Sequence, residues 1–375
     1  MAAGIAVLRL NLPPHVDEWH YVDTIRHWGG DFRLSSLVDY DEVTGPLVFI
    51  LYALWGKIVG FELNDLRLLS LLFSAGALFI IFHWYKEFLP VKAAAMFALF
   101  LFLLNPYMWG LSFFVYTDIP TLFFLILLAW AVHHRQTILI FTASAAALLC
   151  RQYSVYLVIA AGLYQIVFLI KGNSKGWKNL LALFFGGLPL IILMALWGGF
   201  APPAGVKRWI LPDRLYHFDY ITTYIASIAV YLSPIILWVK KRLFRGKILW
   251  IGLVITGWYV IFPIKPSLVT LAQTQLDTVG FAHRLIKMVT GDTIFEHIIL
   301  GGFFYCGLIT LANVIFYDFK RLQKGVWDYA HFLTLSVICF LLVMPFSFHV
   351  WEKYLVIVLP FILLRLIMIK HSEVI

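Results

Sequence analysis

Apolar runs recur along the whole chain, separated by short polar breaks. The runs cover approximately residues 66–85, 92–106, 118–134, 137–150, 154–170, 179–198, 219–239, 248–264, 297–317, 329–346 and 354–369. A helix rising about 1.5 Å per residue needs roughly 17–25 residues to cross about 30 Å of hydrocarbon, so most of these runs predict transmembrane helices. The run from Met1 to Leu12 is shorter and carries Arg9, and it predicts the tail of a first helix whose start is missing. About 12 spans result, in a single domain over 1–375 with no Pro/Ser linker or low-complexity tract. The longest irregular stretches are expected at 15–45 and 264–296.

The segment 46–61 is apolar but interrupted by Gly56, Lys57 and Gly60. It either spans or lies along the interface as an amphipathic helix. If it lies flat, Lys171, Lys175 and Lys178, then Lys240 to Lys247, then Lys320, Arg321 and Lys324 all fall on one side, joined by Arg365 and Lys370. The positive-inside rule makes that side cytoplasmic. The acidic 15–45 segment then faces outward, with the connections 105–117, 201–217 and 349–353. The interfacial reading is the one expected.

Composition agrees with a bilayer solvent. Hydrophobic residues make up 62% of the chain and charged residues 13%, with a mean hydropathy of +0.88. Soluble domains carry roughly 45–50% apolar and about 25% charged residues. The formal net charge of +9 sits mainly in short inter-span loops, which favours topology over a nucleic-acid partner. Cys150, Cys306 and Cys339 show no metal-ligand or redox spacing. No phosphate-binding Gly-rich loop, zinc spacing or nucleophile elbow is found, which disfavours a nucleotide-driven cytosolic reaction.

Candidate chemistry clusters on the outward side. Asp17-Glu18-Trp19-His20 follows Pro13-Pro14; its carboxylates read either as solvated helix-start residues or as a general base beside apolar surface. Asp118 opens a span behind Tyr116 and Thr117, an ordinary helix start in isolation but one that shares a face with Asp17. Arg151 and Gln152 interrupt the apolar run between two spans, where the arginine is either half of an ion pair or a fork for phosphate. Lys353 and Tyr354 in His349-Val350-Trp351-Glu352-Lys353-Tyr354 read as interfacial anchors or as a cation offsetting phosphate charge. The outward loop holding Lys207, Arg208, Arg214 and His217 is basic against the positive-inside trend, which suits anionic headgroups.

Together these pieces resemble integral-membrane glycosyltransferases of the GT-C fold: an Asp-Glu pair after the first helix, flat helices in the first outer loop, a later Asp before a span, and a basic-Tyr pair before a late helix. A closer resemblance is to the dolichyl-phosphate-glucose α-1,2-glucosyltransferase family, carried by Pro14-His15-Val16-Asp17-Glu18-Trp19-His20, Val43-Thr44-Gly45-Pro46-Leu47, Leu66-Arg67-Leu68-Leu69, Tyr116-Thr117-Asp118, Arg151-Gln152, and Gly198-Gly199 with His217-Phe218. It covers most of the chain to about residue 220 and only Trp351 to Tyr354 beyond. The shorter chain points to a prokaryotic relative.

The resemblance implies an all-α GT-C bundle that transfers glucose or a similar hexose from a polyprenyl (dolichyl) phosphate to a lipid-linked or membrane-proximal acceptor, at the extracytoplasmic or ER-lumenal face. In that reading Asp17 is the base, Glu18 and Asp118 orient the acceptor, and Arg151, Gln152, Lys353 and Tyr354 hold the donor phosphate. His20, Tyr116, His217 and Arg214 complete the substrate contacts. Fixed cations stand in for a metal, so no metal or cofactor is expected. The expected partners are the lipid-linked donor and acceptor and membrane lipids, with no nucleic acid. A transporter or flippase of a lipid-linked or anionic solute is the alternative, and a scaffold that binds donor without turnover is a third reading.

Overall fold

The computed structural model describes residues 13–14, 17–103, 105–172, 175–209, 215–243 and 247–371. The expected tail of a first helix lies outside the described residues. Those residues form helices joined by turns, with no strand among them. Two compact units emerge, Met1–Leu211 and Pro212–Ile375.

The first unit runs α1 (Glu18–Gly30), α2 (Leu47–Val59), α3 (Leu63–Tyr85), α4 (Val91–Leu103), α5 (Pro106–Leu111), α6 (Asp118–His134), α7 (Thr137–Cys150), α8 (Val155–Ile170), α9 (Lys175–Trp197) and α10 (Pro203–Trp209). α3, the segment Gln152–Ile170 and the segment Gly176–Trp197 are long and apolar enough to cross a membrane; α2, α4, α6 and α7 are apolar but shorter. At 13 residues, α2 reaches only about 20 Å.

The 15–45 segment is more ordered than its polarity suggests. Within α1, Glu18, Val22, Ile25 and Trp28 are buried, a spacing of three and four that gives the helix an inward stripe. The polar residues between them hide that stripe in the sequence.

Small residues bring helices of this unit together. A Cβ placed on Gly186 of α9 would meet Ser144 Oγ of α7 at 2.1 Å, and one on Gly45 would meet the Leu149 carbonyl oxygen at 2.1 Å. Such close backbone approach is a common device of membrane helices, where packing stands in for the hydrophobic drive. Elsewhere the same helices turn large apolar side chains outward: Phe184, Phe185, Ile191, Ile192 and Leu196 of α9 are exposed. A surface of that kind needs lipid around it.

The α6–α7 turn marks one end of this unit. Arg135 in the α6–α7 turn lies over the Phe168 ring at 4.6 Å, beside the Lys171 turn, and Thr137 donates to Asn179 at 2.9 Å. That end is opposite the one where α6 begins and α7 finishes.

The second unit comprises α11 (Phe218–Tyr231), α12 (Ser233–Leu243), α13 (Lys247–Ile255), α14 (Gly257–Ile261), α15 (Leu268–Thr274), α16 (Phe281–Thr290), α17 (Ile294–Gln323), α18 (Tyr329–Val343) and α19 (Leu359–His371). α17 and the segment Tyr329–Phe346 are of spanning length, and α11 with α12 form a pair bent by 74°. The expected straight span at 219–239 is thus broken. Pro234 removes a backbone donor at the start of α12, which fits a break there. The 264–296 stretch, expected to be irregular, contains α15 and α16.

Candidate active site

Glu18 and Asp17 are adjacent in sequence and differ in surroundings. Glu18 is fully buried and accepts from Arg67 Nε at 2.9 Å and Nη2 at 2.6 Å. It also accepts the Val115 backbone N–H at 2.8 Å, which fixes the segment leading into α6. Arg67 lies over the Phe114 ring, 5.3 Å from its centroid. A planar fork against a carboxylate is the strongest form of this pairing, and it uses Glu18 for architecture. Arg67, a lone cation in an apolar run, was the sequence signal for a buried partner.

Asp17 occupies the N-cap position of α1 and is half-buried, with no side-chain cap hydrogen bond. Its backbone N–H donates to Tyr116 Oη at 3.3 Å. Tyr116 is buried and packs edge-on against Tyr21 of α1. The start of α1 is therefore seated beside the start of α6.

Asp118 and Arg151 are partners. Arg151 Nη2 donates to Asp118 Oδ2 at 3.2 Å and Nε donates to Thr117 Oγ1 at 2.6 Å. Tyr153 Oη donates to Asp118 Oδ1 at 3.4 Å, and the guanidinium lies over the Tyr153 ring at 5.2 Å. The hairpin of α6 and α7 accounts for this meeting, since an antiparallel pair brings the first residue of one helix to the last of the other. Arg151 has extended backbone and stops α7 before the short Gln152–Ser154 3-10 turn. Gln152 Nε2 donates to the carbonyls of Val43 at 2.9 Å and Phe200 at 3.1 Å.

His20 lies one turn along α1 from Asp17. Its Nδ1 is 2.7 Å from Glu42 Oε1, which also accepts from Thr24 Oγ1 at 3.2 Å. Burial pushes the Glu42 carboxyl up, with His20, Thr24 and the Arg208 charge pulling the other way. Sequence reasoning singled out His20 but missed Glu42, Trp209 and Tyr153, none of which carries a local motif.

In the second unit, His217 is buried, its backbone N–H donates to the Pro345 carbonyl at 2.9 Å, and its ring stacks on Tyr220 at 4.5 Å. Lys353 Nζ lies 5.9 Å from the centroid of the buried Tyr354 ring. Its neighbour Glu352 is buried and accepts the Ala282 and His283 backbone N–H groups at 2.9 Å each, and Tyr231 Oη at 2.5 Å. A carboxylate there satisfies donors at the start of α16, which have no partner within their own helix. Arg214 lies outside the described residues.

The structure thus brings Asp17, Glu18, His20, Tyr116, Asp118, Arg151 and Gln152 together in the first unit, and places His217, Lys353 and Tyr354 in the second. No protein-family model matches the chain and no curated protein matches it in sequence. Among solved structures, the chain is similar to the crystal structure of ArnT from Cupriavidus metallidurans in the apo state, with a TM-score of 0.46 at 12% identity, over 99% of this chain and 75% of that one. The functional reading rests on the residues themselves.

Proposed function

We propose that this chain is an integral-membrane glycosyltransferase of the GT-C type, which moves glucose or a similar hexose from a polyprenyl phosphate to a lipid-linked or membrane-proximal acceptor with inversion. The observation that carries the reading is the seating of Asp17 against Tyr116, next to the Arg151–Asp118 pair. It puts a carboxylate at the start of α1 and a guanidinium at the end of α7, at the end of the unit opposite Arg135. That end is the extracytoplasmic or lumenal one if the basic turns face the cytosol.

In this reading Asp17 takes the proton of the acceptor hydroxyl. The acceptor oxygen bonds the anomeric carbon while the bond from that carbon to the phosphate oxygen breaks, its electron pair leaving with the phosphate. Arg151 faces the phosphate with its charge partly offset by Asp118. Asp118 holds Arg151, and Glu18 holds the frame through Arg67 and Val115.

Turnover of a panel of polyprenyl-phosphate sugars, with products identified by mass, tests the reading. Asp17→Asn is expected to lower turnover by about 10²–10⁴-fold with donor binding intact. Unchanged turnover in Asp17→Asn rejects the assigned base.

The bend between α11 and α12 supports a second reading. Broken helices are a feature of secondary transporters, so a transporter of a lipid-linked or anionic solute would use that break. Counterflow of intact solute without any new glycosidic product would favour it.

A further inference from the structure

The two faces of α1 are used differently. Glu18, Val22 and Ile25 point into the unit. Asp17, His20 and Thr24 share the other face, because residues three and four apart on a helix are neighbours, with about 5–6 Å between Cβ atoms. Asp17 has helical backbone angles, so the spacing holds from the N-cap onward.

His20 on that face is 9% exposed, and Glu42 is 2% exposed. The segment bearing Glu42 is fastened from several sides. A Cβ on Gly205 would lie 2.3 Å from the Glu42 carbonyl oxygen, so α10 packs backbone to backbone against it. Arg208 pairs with Asp41 at 2.8 Å, and Trp209 Nε1 donates to the Asp41 carbonyl at 2.5 Å. The Trp209 ring covers the imidazole at 4.6 Å. Among the described residues His20 Nε2 has no hydrogen-bond partner.

A carboxylate on one ring nitrogen, with the other nitrogen open, is the arrangement that orients an imidazole for proton transfer and stabilises it once protonated. Titratable or charged groups around the pair are Asp17 and Tyr21 on α1, Tyr40 and Asp41 on the Glu42 segment, and Arg208 on α10. Arg208 is itself paired with Asp41.

We propose that His20, held by Glu42, receives the proton that Asp17 takes from the acceptor hydroxyl. The proposal rests on the glycosyl-transfer reading. The proton passes from the acceptor oxygen to the Asp17 carboxylate and on to His20 Nε2. The Nδ1 hydrogen stays donated to Glu42, whose charge balances the imidazolium, and the proton is then lost to water. Asp17 is thereby returned to its basic form for the next turnover. Glu42 is a positioning residue, acting through the ring.

Two measurements on the full chain in lipid nanodiscs test this. The first is the tautomer of the His20 ring, read by NMR from ring-nitrogen shifts with histidine-selective labelling, the signal assigned by its loss in His20→Gln. The neutral ring is expected to hold its hydrogen on Nδ1 in the unaltered protein, and to shift toward the Nε2 tautomer in Glu42→Ala. An unchanged tautomer overturns the pair, and this arm needs no turnover. The second is turnover of His20→Ala on whichever polyprenyl-phosphate sugar the unaltered protein uses. A fall in kcat of about 10²-fold at unchanged KM is expected, with partial recovery on adding imidazole. Unchanged kcat, or a fall that imidazole does not relieve, overturns the relay. If the unaltered protein turns over no such sugar, the glycosyl-transfer reading falls and the relay with it, while the ring tautomer still decides the pair.

Discussion

On the inward face of α1, Glu18 takes two N–H groups from Arg67 and a third from Val115, with both side chains fully out of contact with solvent. On another face, also buried, His20 meets Glu42 through one ring nitrogen and has no partner for the other among the described residues. Each pairs a carboxylate with a nitrogen side chain, and α1 contributes one member of each, Glu18 and His20, two residues apart. The first is held by three protein donors away from solvent. The second keeps one valence in reserve. In a polar pair the spare valence, more than the depth of burial, separates a structural role from a chemical one.

The strongest way to break the contrast is Arg67→Ala, which leaves Glu18 buried without its fork. A loss of about 3–5 kcal/mol is expected, measured by unfolding in detergent with intrinsic fluorescence. Changing both partners, Glu18→Met with Arg67→Met, is expected to cost less than Arg67→Ala, because no charge is stranded. A double change as damaging as the single one would mean that Glu18 does more than hold the frame.

A smaller effect is expected from Thr117→Val, which removes the 2.6 Å acceptor of Arg151 Nε. About 1.5–3 kcal/mol is usual for a hydrogen bond to a charged group, and the arginine would keep its contacts with Asp118 and Tyr153. Weaker donor binding at unchanged fold is the expected readout.

The smallest effect concerns the other unit. Burial by itself would raise the Asp328 carboxyl, but hydrogen bonds from His331 and Arg321 outweigh it and hold the group well below the usual carboxylate range. Its contribution to stability is therefore complete above the ordinary carboxylate pKa and is lost as pH falls through the lowered one. Asp328→Asn keeps an N-cap acceptor at the start of α18 while removing that charge. The loss of unfolding temperature from about pH 6 to about pH 3 should be shallower in Asp328→Asn than in the unaltered protein.

The helices were legible where apolar length alone decides. The runs read at 118–134 and 137–150 are α6 and α7 residue for residue. The break in 219–239 was signalled by Pro234 and overridden by the apolar run around it. α1 was hidden because its inward stripe includes Glu18, whose burial makes sense only with Arg67 opposite. The site was legible as a set of outward polar residues, since Asp17, Asp118 and Arg151 each stand at a helix end. Their pairing was not. Arg67 and Glu18 are 49 residues apart and Glu42 and His20 are 22 apart, distances over which no local spacing rule applies. Glu352, beside Lys353, accepts two backbone N–H groups at the start of α16, a role that no local spacing marks.

Gln152 has its amide nitrogen committed to two carbonyls from separate loops, Val43 and Phe200. Those loops lead to Glu42 on one side and α10 on the other, so a single side chain acts as the pin on which both turn. Loss of the Gln152 amide is therefore expected to loosen both loops at once, including the one that leads to α10 and the Trp209 ring beside His20.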